Sequence, residues 1–223
     1  MRLIARLRRL RRIDAGFTLI ELLMAVSILG VITVPLGNVM IEYFQNTTRT
    51  TVRLNESHDA QIAAAYFAQD VASTGIRSTA TPYPLLQSVD TGAAGWSYPC
   101  STAGSTPVLR LVWNEYGSGG TPTQIRVAYV TATVGSEHQL IRLHCSAGSS
   151  TPDASSVLAH DMNTGVAPTV ACYVNSVSTT TPTTCVGADA LVPNEIVATL
   201  SMLDPLDSGT AYSVKLTGQR RQT

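Results

Sequence analysis

From Phe17 to Ile41 the chain runs for twenty-five residues with a single ionisable side chain, Glu21. As a helix this stretch rises about 37 Å, enough to cross a hydrocarbon layer of about 30 Å. A basic cluster precedes it, because Arg2, Arg6, Arg8, Arg9, Arg11 and Arg12 are six of the 15 Lys and Arg residues in the sequence. The preference for basic residues on the cytoplasmic side of a membrane keeps this cluster inside and sends everything after residue 41 across. Without residues 1–16 the chain carries 9 basic against 14 acidic side chains, a net of −5 before the termini are counted. That balance disfavours nucleic acid as a partner, and the two arginines of the Gln219–Gln222 tail make a poor phosphate footprint.

Hydrophobic residues make up 44% of the chain and charged residues 13%, which excludes a wholly disordered protein. Residues 1–16 read as a removable leader: short, basic and without apolar periodicity. Residues 17–41 are the apolar half of a long helix, and residues 42–75 continue it as an amphipathic half. There Leu54, Ile62, Ala65, Ala72 and Ile76 recur near helical spacing, and Gly75 offers a C-terminal cap. The predicted helix, from Phe17 to about Thr74, would be a rod of roughly 87 Å. Gly30, Pro35 and Gly37 are the places where it is expected to break or kink.

Beyond Gly75 the composition turns to Ser, Thr, Gly, Pro and Ala, with short alternating apolar runs between turn residues. This predicts an antiparallel β-rich head over residues 76–223. Residues 108–113, 124–130 and 139–145 are candidate strands of a meander, and 195–203 with 211–217 a terminal hairpin. Residues 146–194 are expected to be long loops with one strand near Val170–Val174. The fold class is therefore α+β: a long N-terminal membrane-spanning helix followed by an antiparallel β-rich head.

The segment Gly16-Phe-Thr-Leu-Ile-Glu-Leu-Leu-Met-Ala-Val-Ser-Ile-Leu-Gly-Val-Ile32, behind a basic leader, resembles the type IV pilin and type II secretion pseudopilin superfamily. The resemblance is close from about residue 8 to residue 45 and covers the head only in outline. It implies that a prepilin peptidase on the cytoplasmic face cuts between Gly16 and Phe17 and methylates the new amino group of Phe17. It also implies assembly with other pilin or pseudopilin subunits on an inner-membrane platform, after a stage as a single-pass membrane protein with an exported head. The destination is a cell-surface pilus or a cell-envelope pseudopilus, and the head's size and strand-rich outline look more like a minor, tip-type subunit. A carboxylate inside an apolar span costs about 2.5–3.5 kcal/mol on insertion scales and therefore needs a partner. In the family, the glutamate matching Glu21 pairs with the mature amino terminus of a neighbouring subunit. Relatives commonly carry a glycine at the place of Gly30 and a proline near the place of Asn38. Here the proline stands three residues earlier, at Pro35, which shifts the local melting expected there.

Cys100, Cys145, Cys172 and Cys185 are an even number in the exported part and fit disulfides better than metal binding. Three pairings are open. The short polar loop broken by Pro182 favours Cys172–Cys185, and the central strands between Cys100 and Cys145 favour the other pair. A zinc site lacks Cys-x-x-Cys spacing and a second ligand cluster near His144–Cys145. His58, His138, His144 and His160 are scattered and no catalytic motif accompanies them, so neither an enzyme nor a cofactor is expected. Asp161-Met-Asn-Thr-Gly165 lacks the third oxygen ligand and closing glutamate of a calcium loop and reads as a turn. The competing reading is an exported hydrolase or binding protein whose N-terminus is a secretory signal, with Ala25-Val-Ser27 as a small-x-small cleavage site. Glu21 interrupts the apolar stretch before that site, and hydrophobicity continues well beyond it.

Overall fold

The computed structural model describes residues 16–92, 95–117, 120–174, 181–204 and 206–221, with the side chains of residues 207–209 left aside. Apart from Gly16, the leader lies outside the described residues. The chain divides into two compact units, residues 1–50 and 51–223.

Helix α1 spans Leu19–Ser73. It starts two residues later than the sequence predicts because Thr18 is its N-cap. The Glu21 amide lies 3.3 Å from Thr18 Oγ1, and the carbonyl of Thr18 accepts from the amides of Glu21 and Leu22 at 3.0 and 3.1 Å. The helix runs unbroken through Gly30, Pro35 and Gly37 in the single chain. The hydroxyls of Ser27 and Thr33 each donate to the carbonyl four residues back, at 2.8 Å. These side chains therefore present no unmet donor to an apolar environment.

In the second unit α1 packs through Ala63, Phe67, Asp70 and Val71, spaced by four, three and one. This corrects the predicted stripe: Leu54 and Ala65 are exposed, Ile62 packs partly against the core, Ala72 is half-buried, and Ile76 is buried but lies beyond the end of the helix. Asp70 reads as polar and so hid the true face. Helix α1 ends at Ser73, where Thr74 Oγ1 donates to the Asp70 carbonyl at 2.9 Å. Gly75, at φ 144°, sends its amide to the Val112 carbonyl at 3.0 Å, so it joins the chain to the sheet rather than closing the helix.

The short strands β1 (Ile76–Arg77), β2 (Leu85–Leu86) and β3 (Val89–Asp90) follow. Three long ones come next: β4 (Thr106–Tyr116), β5 (Pro122–Val134) and β6 (Glu137–Cys145). They are succeeded by β7 (Ala154–Ala159), β8 (Thr169–Tyr173), β9 (Glu195–Asp204) and β10 (Asp207–Gln219). Strands β3 to β7 form an antiparallel sheet in chain order, which makes β4–β5–β6 the expected meander. A second sheet has the order β10-β9-β8, and β1 pairs with β2. Strand β7 corrects the expectation of loops across 146–194. It hydrogen-bonds to β6 at the sheet's edge and buries only Leu158 and Ala159, so its Ser-rich remainder carries no alternation.

The main core joins Phe67 and Val71 of α1 to Leu111, Tyr129 and Leu140 of the larger sheet and to Ile196, Leu200 and Leu216 of the smaller one. Phe67 meets Tyr129 edge to face with ring centroids 5.4 Å apart. Helix α1 and β10 approach so closely at Gly218 that an added Cβ would lie 2.6 Å from Val71 Cβ. Gly218→Ala is therefore expected to cost about 1–3 kcal/mol by overpacking, read as a lower urea midpoint at unchanged slope.

Candidate functional site

The segment that sequence reasoning singles out is the start of the mature-chain candidate. Gly16, Phe17 and Thr18 precede α1, and Glu21 lies in its first turn, where a carboxylate is favoured by the positive end of the helix dipole. The Thr18 cap is a functional detail that sequence reasoning missed, although Thr-x-x-Glu across residues 18–21 is its recognisable signal. A side chain built on Gly16 would meet nothing within 4 Å. The chain's own packing therefore places no demand for glycine there.

Every described residue from Gly16 to Thr51 is exposed, including Phe17 at 78% and Val31 at 75%. A continuous surface bearing Leu22, Leu23, Ile28, Leu29, Val34 and Leu36 is far larger than the apolar patches soluble monomers tolerate. It requires cover by lipid or by other helices, and α1 is long and apolar enough to cross a membrane. Gly30 and Gly37 also meet nothing within 4 Å. Each glycine costs a helix about 0.8–1.0 kcal/mol relative to alanine, and contacts within the chain do not offset that cost.

The four cysteines form two disulfides, both in the second unit. Cys100 is bonded to Cys145 with Cα atoms 5.9 Å apart, and Cys172 to Cys185 with Cα atoms 5.1 Å apart. The first pair sits in a small core with Ala128, Val130 and Leu143, and the second belongs to the main core.

The histidines are dispersed over local partners. His138 Nδ1 lies 3.1 Å from Thr133 Oγ1, His144 Nδ1 2.7 Å from Asp153 Oδ1, and His160 Nδ1 2.7 Å from Asp59 Oδ2. Ser146 joins His144 and Asp153, but its hydroxyl donates to the carboxylate rather than to the imidazole, so it is not activated as a nucleophile. The hydroxyl of Ser146, then His144, hold the Asp153 carboxyl down at about 2. Asn163 Oδ1 accepts from the Gly165 amide at 2.9 Å, a local turn within 161–165. Among the described residues no group of three or more His, Cys, Asp or Glu side chains is arranged to hold a metal ion.

No curated protein and no solved structure matches the chain. Residues 11–37 match the family described as prokaryotic N-terminal methylation motif, which spans the leader's last arginines, Gly16–Phe17, Glu21 and the apolar helix through Gly37. The chain thus carries, at the head of a long apolar helix, the prepilin-type signal of type IV pilins and pseudopilins.

Proposed function

We propose that this protein is a structural, non-enzymatic subunit of a type IV pilus or secretion pseudopilus, with a minor, tip-type role. Prepilin peptidase cuts between Gly16 and Phe17 and methylates Phe17. The mature helix then holds the protein in the cytoplasmic membrane until an assembly platform packs it beside other subunits. The observation that carries this reading is the exposed apolar first half of α1, beginning directly after the matched Gly16–Phe17 signal. The absence of any packing demand at Gly16 fits a glycine required by the peptidase. Gly30 and Gly37, seven residues apart on one helix face, suit the close approach of neighbouring helices. Two disulfides in residues 51–223 accord with export of that unit to an oxidising compartment.

Mass spectrometry of the mature protein is the test, with an N-terminal peptide starting at methylated Phe17 as the expected result. A start at Met1, or after Ser27, would refute it. The minor role predicts scarcity in purified filaments together with impaired filament initiation when the gene is deleted; abundance as the bulk constituent would overturn that part alone.

A further inference from the structure

The second unit carries a cavity of about 310 Å³ that the filament reading does not use. Its walls combine two chemistries. Trp96, Tyr98, Leu86 and Val186 line it with carbon, while Gln87 and Ser97 bring polar, uncharged groups. Leu86 and Val186 are 37% and 44% exposed and both rings are half-buried, so the walls are open to a solute. The volume falls at the lower end of small-molecule sites and suits one ring better than an extended chain.

The aromatic wall is held in place by the sheet behind it. Trp96 and Tyr98 meet edge to face with ring centroids 5.3 Å apart. Arg110 of β4 lies 5.9 Å from the Trp96 ring centroid, and Arg126 of β5 lies 5.8 Å from that of Tyr98. Arg126 also donates to the Pro99 carbonyl at 3.4 Å, and Cys100 is tied to Cys145 of β6. Three strands thus fix the rings before a ligand arrives, which removes part of the ordering cost of binding. Trp96 Nε1 is shut off from solvent, so the indole side-chain surface that stays accessible is carbon. Gln87 donates from Nε2 to the Val89 carbonyl at 3.4 Å, which leaves its amide oxygen to accept.

Charge selects the ligand. Asp90 is the one charged side chain among the described residues that line the cavity, and it is already committed. Arg110 donates to Asp90 Oδ2 through Nη2 and, at 2.8 Å, through Nε, and the Gly92 amide adds a third bond at 2.8 Å. The Asp90 side chain is 2% exposed and that of Arg110 14%. A cation would compete with Arg110 for the carboxylate and an anion would confront it, and either disturbs a buried pair that is costly to break. A wholly apolar ligand would strip water from Gln87 and Ser97 without replacing it. A saturated ring with C–H groups on one face and hydroxyls around its edge matches both kinds of wall.

We propose that this cavity is a receptor site for a neutral sugar, a single pyranose unit whose C–H face lies against Trp96 and Tyr98 and whose hydroxyls bond to Gln87 and Ser97. The proposal concerns only the 51–223 unit and stands whether or not the protein enters a filament.

The test is saturation-transfer NMR titration of the full chain in micelles of a zwitterionic detergent that has no sugar head. The probes are the methyl glycosides of glucose, galactose, mannose and N-acetylglucosamine, with a neutral serine–alanine peptide alongside. Saturable binding of at least one glycoside is expected, with most saturation on the protons of one ring face. Its affinity is expected to stay constant between about 0.05 and 0.5 M sodium chloride, because the ligand carries no charge. Trp96→Ala is expected to weaken binding by about tenfold or more, the loss of an aromatic anchor. Tyr116→Ala, at an exposed ring outside the cavity, is expected to bind as wild type. Gln87→Leu keeps the side chain's size but removes its hydrogen bonds, and a severalfold loss there decides the matter if Trp96→Ala does not fold. Absence of saturable binding by wild type to every glycoside overturns the proposal. So does binding of the peptide alone, or wild-type affinity in a folded Trp96→Ala or Gln87→Leu protein.

Discussion

Asp70→Ala is expected to destabilise the 51–223 unit by about 3–5 kcal/mol, the range for removing one partner of a buried ion pair. The Asp70 side chain is 2% exposed and that of Arg142 13%. Arg142 donates to both carboxylate oxygens at 2.7 Å, and the Tyr129 hydroxyl adds a third bond at 2.6 Å. Arg142 also lies over the Tyr66 ring, 4.9 Å from its centroid. Alanine would leave a guanidinium and a phenol without their acceptor between α1 and the larger sheet. Burial first, and then the Asp70 charge, already drive the Tyr129 hydroxyl well above its ordinary range, so it stays protonated and donates. Urea unfolding followed by near-ultraviolet circular dichroism measures the loss. The double variant Asp70→Ala/Arg142→Met is expected to recover part of it, because the stranded charge is gone. A loss below 1 kcal/mol in the single variant would show that water replaces the carboxylate.

Glu21→Leu is expected to leave cleavage after Gly16 intact while lowering filament incorporation at least tenfold, a difference of about 1.4 kcal/mol or more. The substitution removes an insertion cost of about 2.5–3.5 kcal/mol, so the precursor sits in the membrane at least as well as before. On the proposed reading it loses the partner for a neighbour's mature amino terminus, and that amine would stay uncompensated in a low-dielectric packing. Comparing precursor and mature forms in membranes with the amount in sheared filaments separates the two steps. Unchanged incorporation would refute the pairing role.

The helix and the β-rich class were legible because their signals are local. An uncharged run of this length has few alternatives, and β4, β5, β6 and β9–β10 carry clear alternation or turn-separated apolar runs. What stayed hidden depends on residues distant in sequence. Asp70 looks like a solvated acid on a helix, and only the fold brings Tyr129 and Arg142 to it, 59 and 72 residues away. Strand β7 is held by its ladder with β6 more than by its own side chains, so composition could not reveal it. The N-terminal signal shows the reverse: Gly16, Phe17 and Glu21 make almost no contacts in the single chain, and their pattern is visible in sequence alone.

The hydroxyls of Ser27 and Thr33, turned back onto their own carbonyls, bear on how such a helix changes surroundings. A segment moving from lipid to a packed protein environment meets two solvents that offer little to a polar group. By carrying its own acceptors, α1 would make that passage, on the proposed reading, without exchanging hydrogen bonds at these two sites. The one ionisable group in the run, Glu21, accepts no such bond from its own helix among the described residues, so on the proposed reading it would be the residue by which the helix tells one environment from the other.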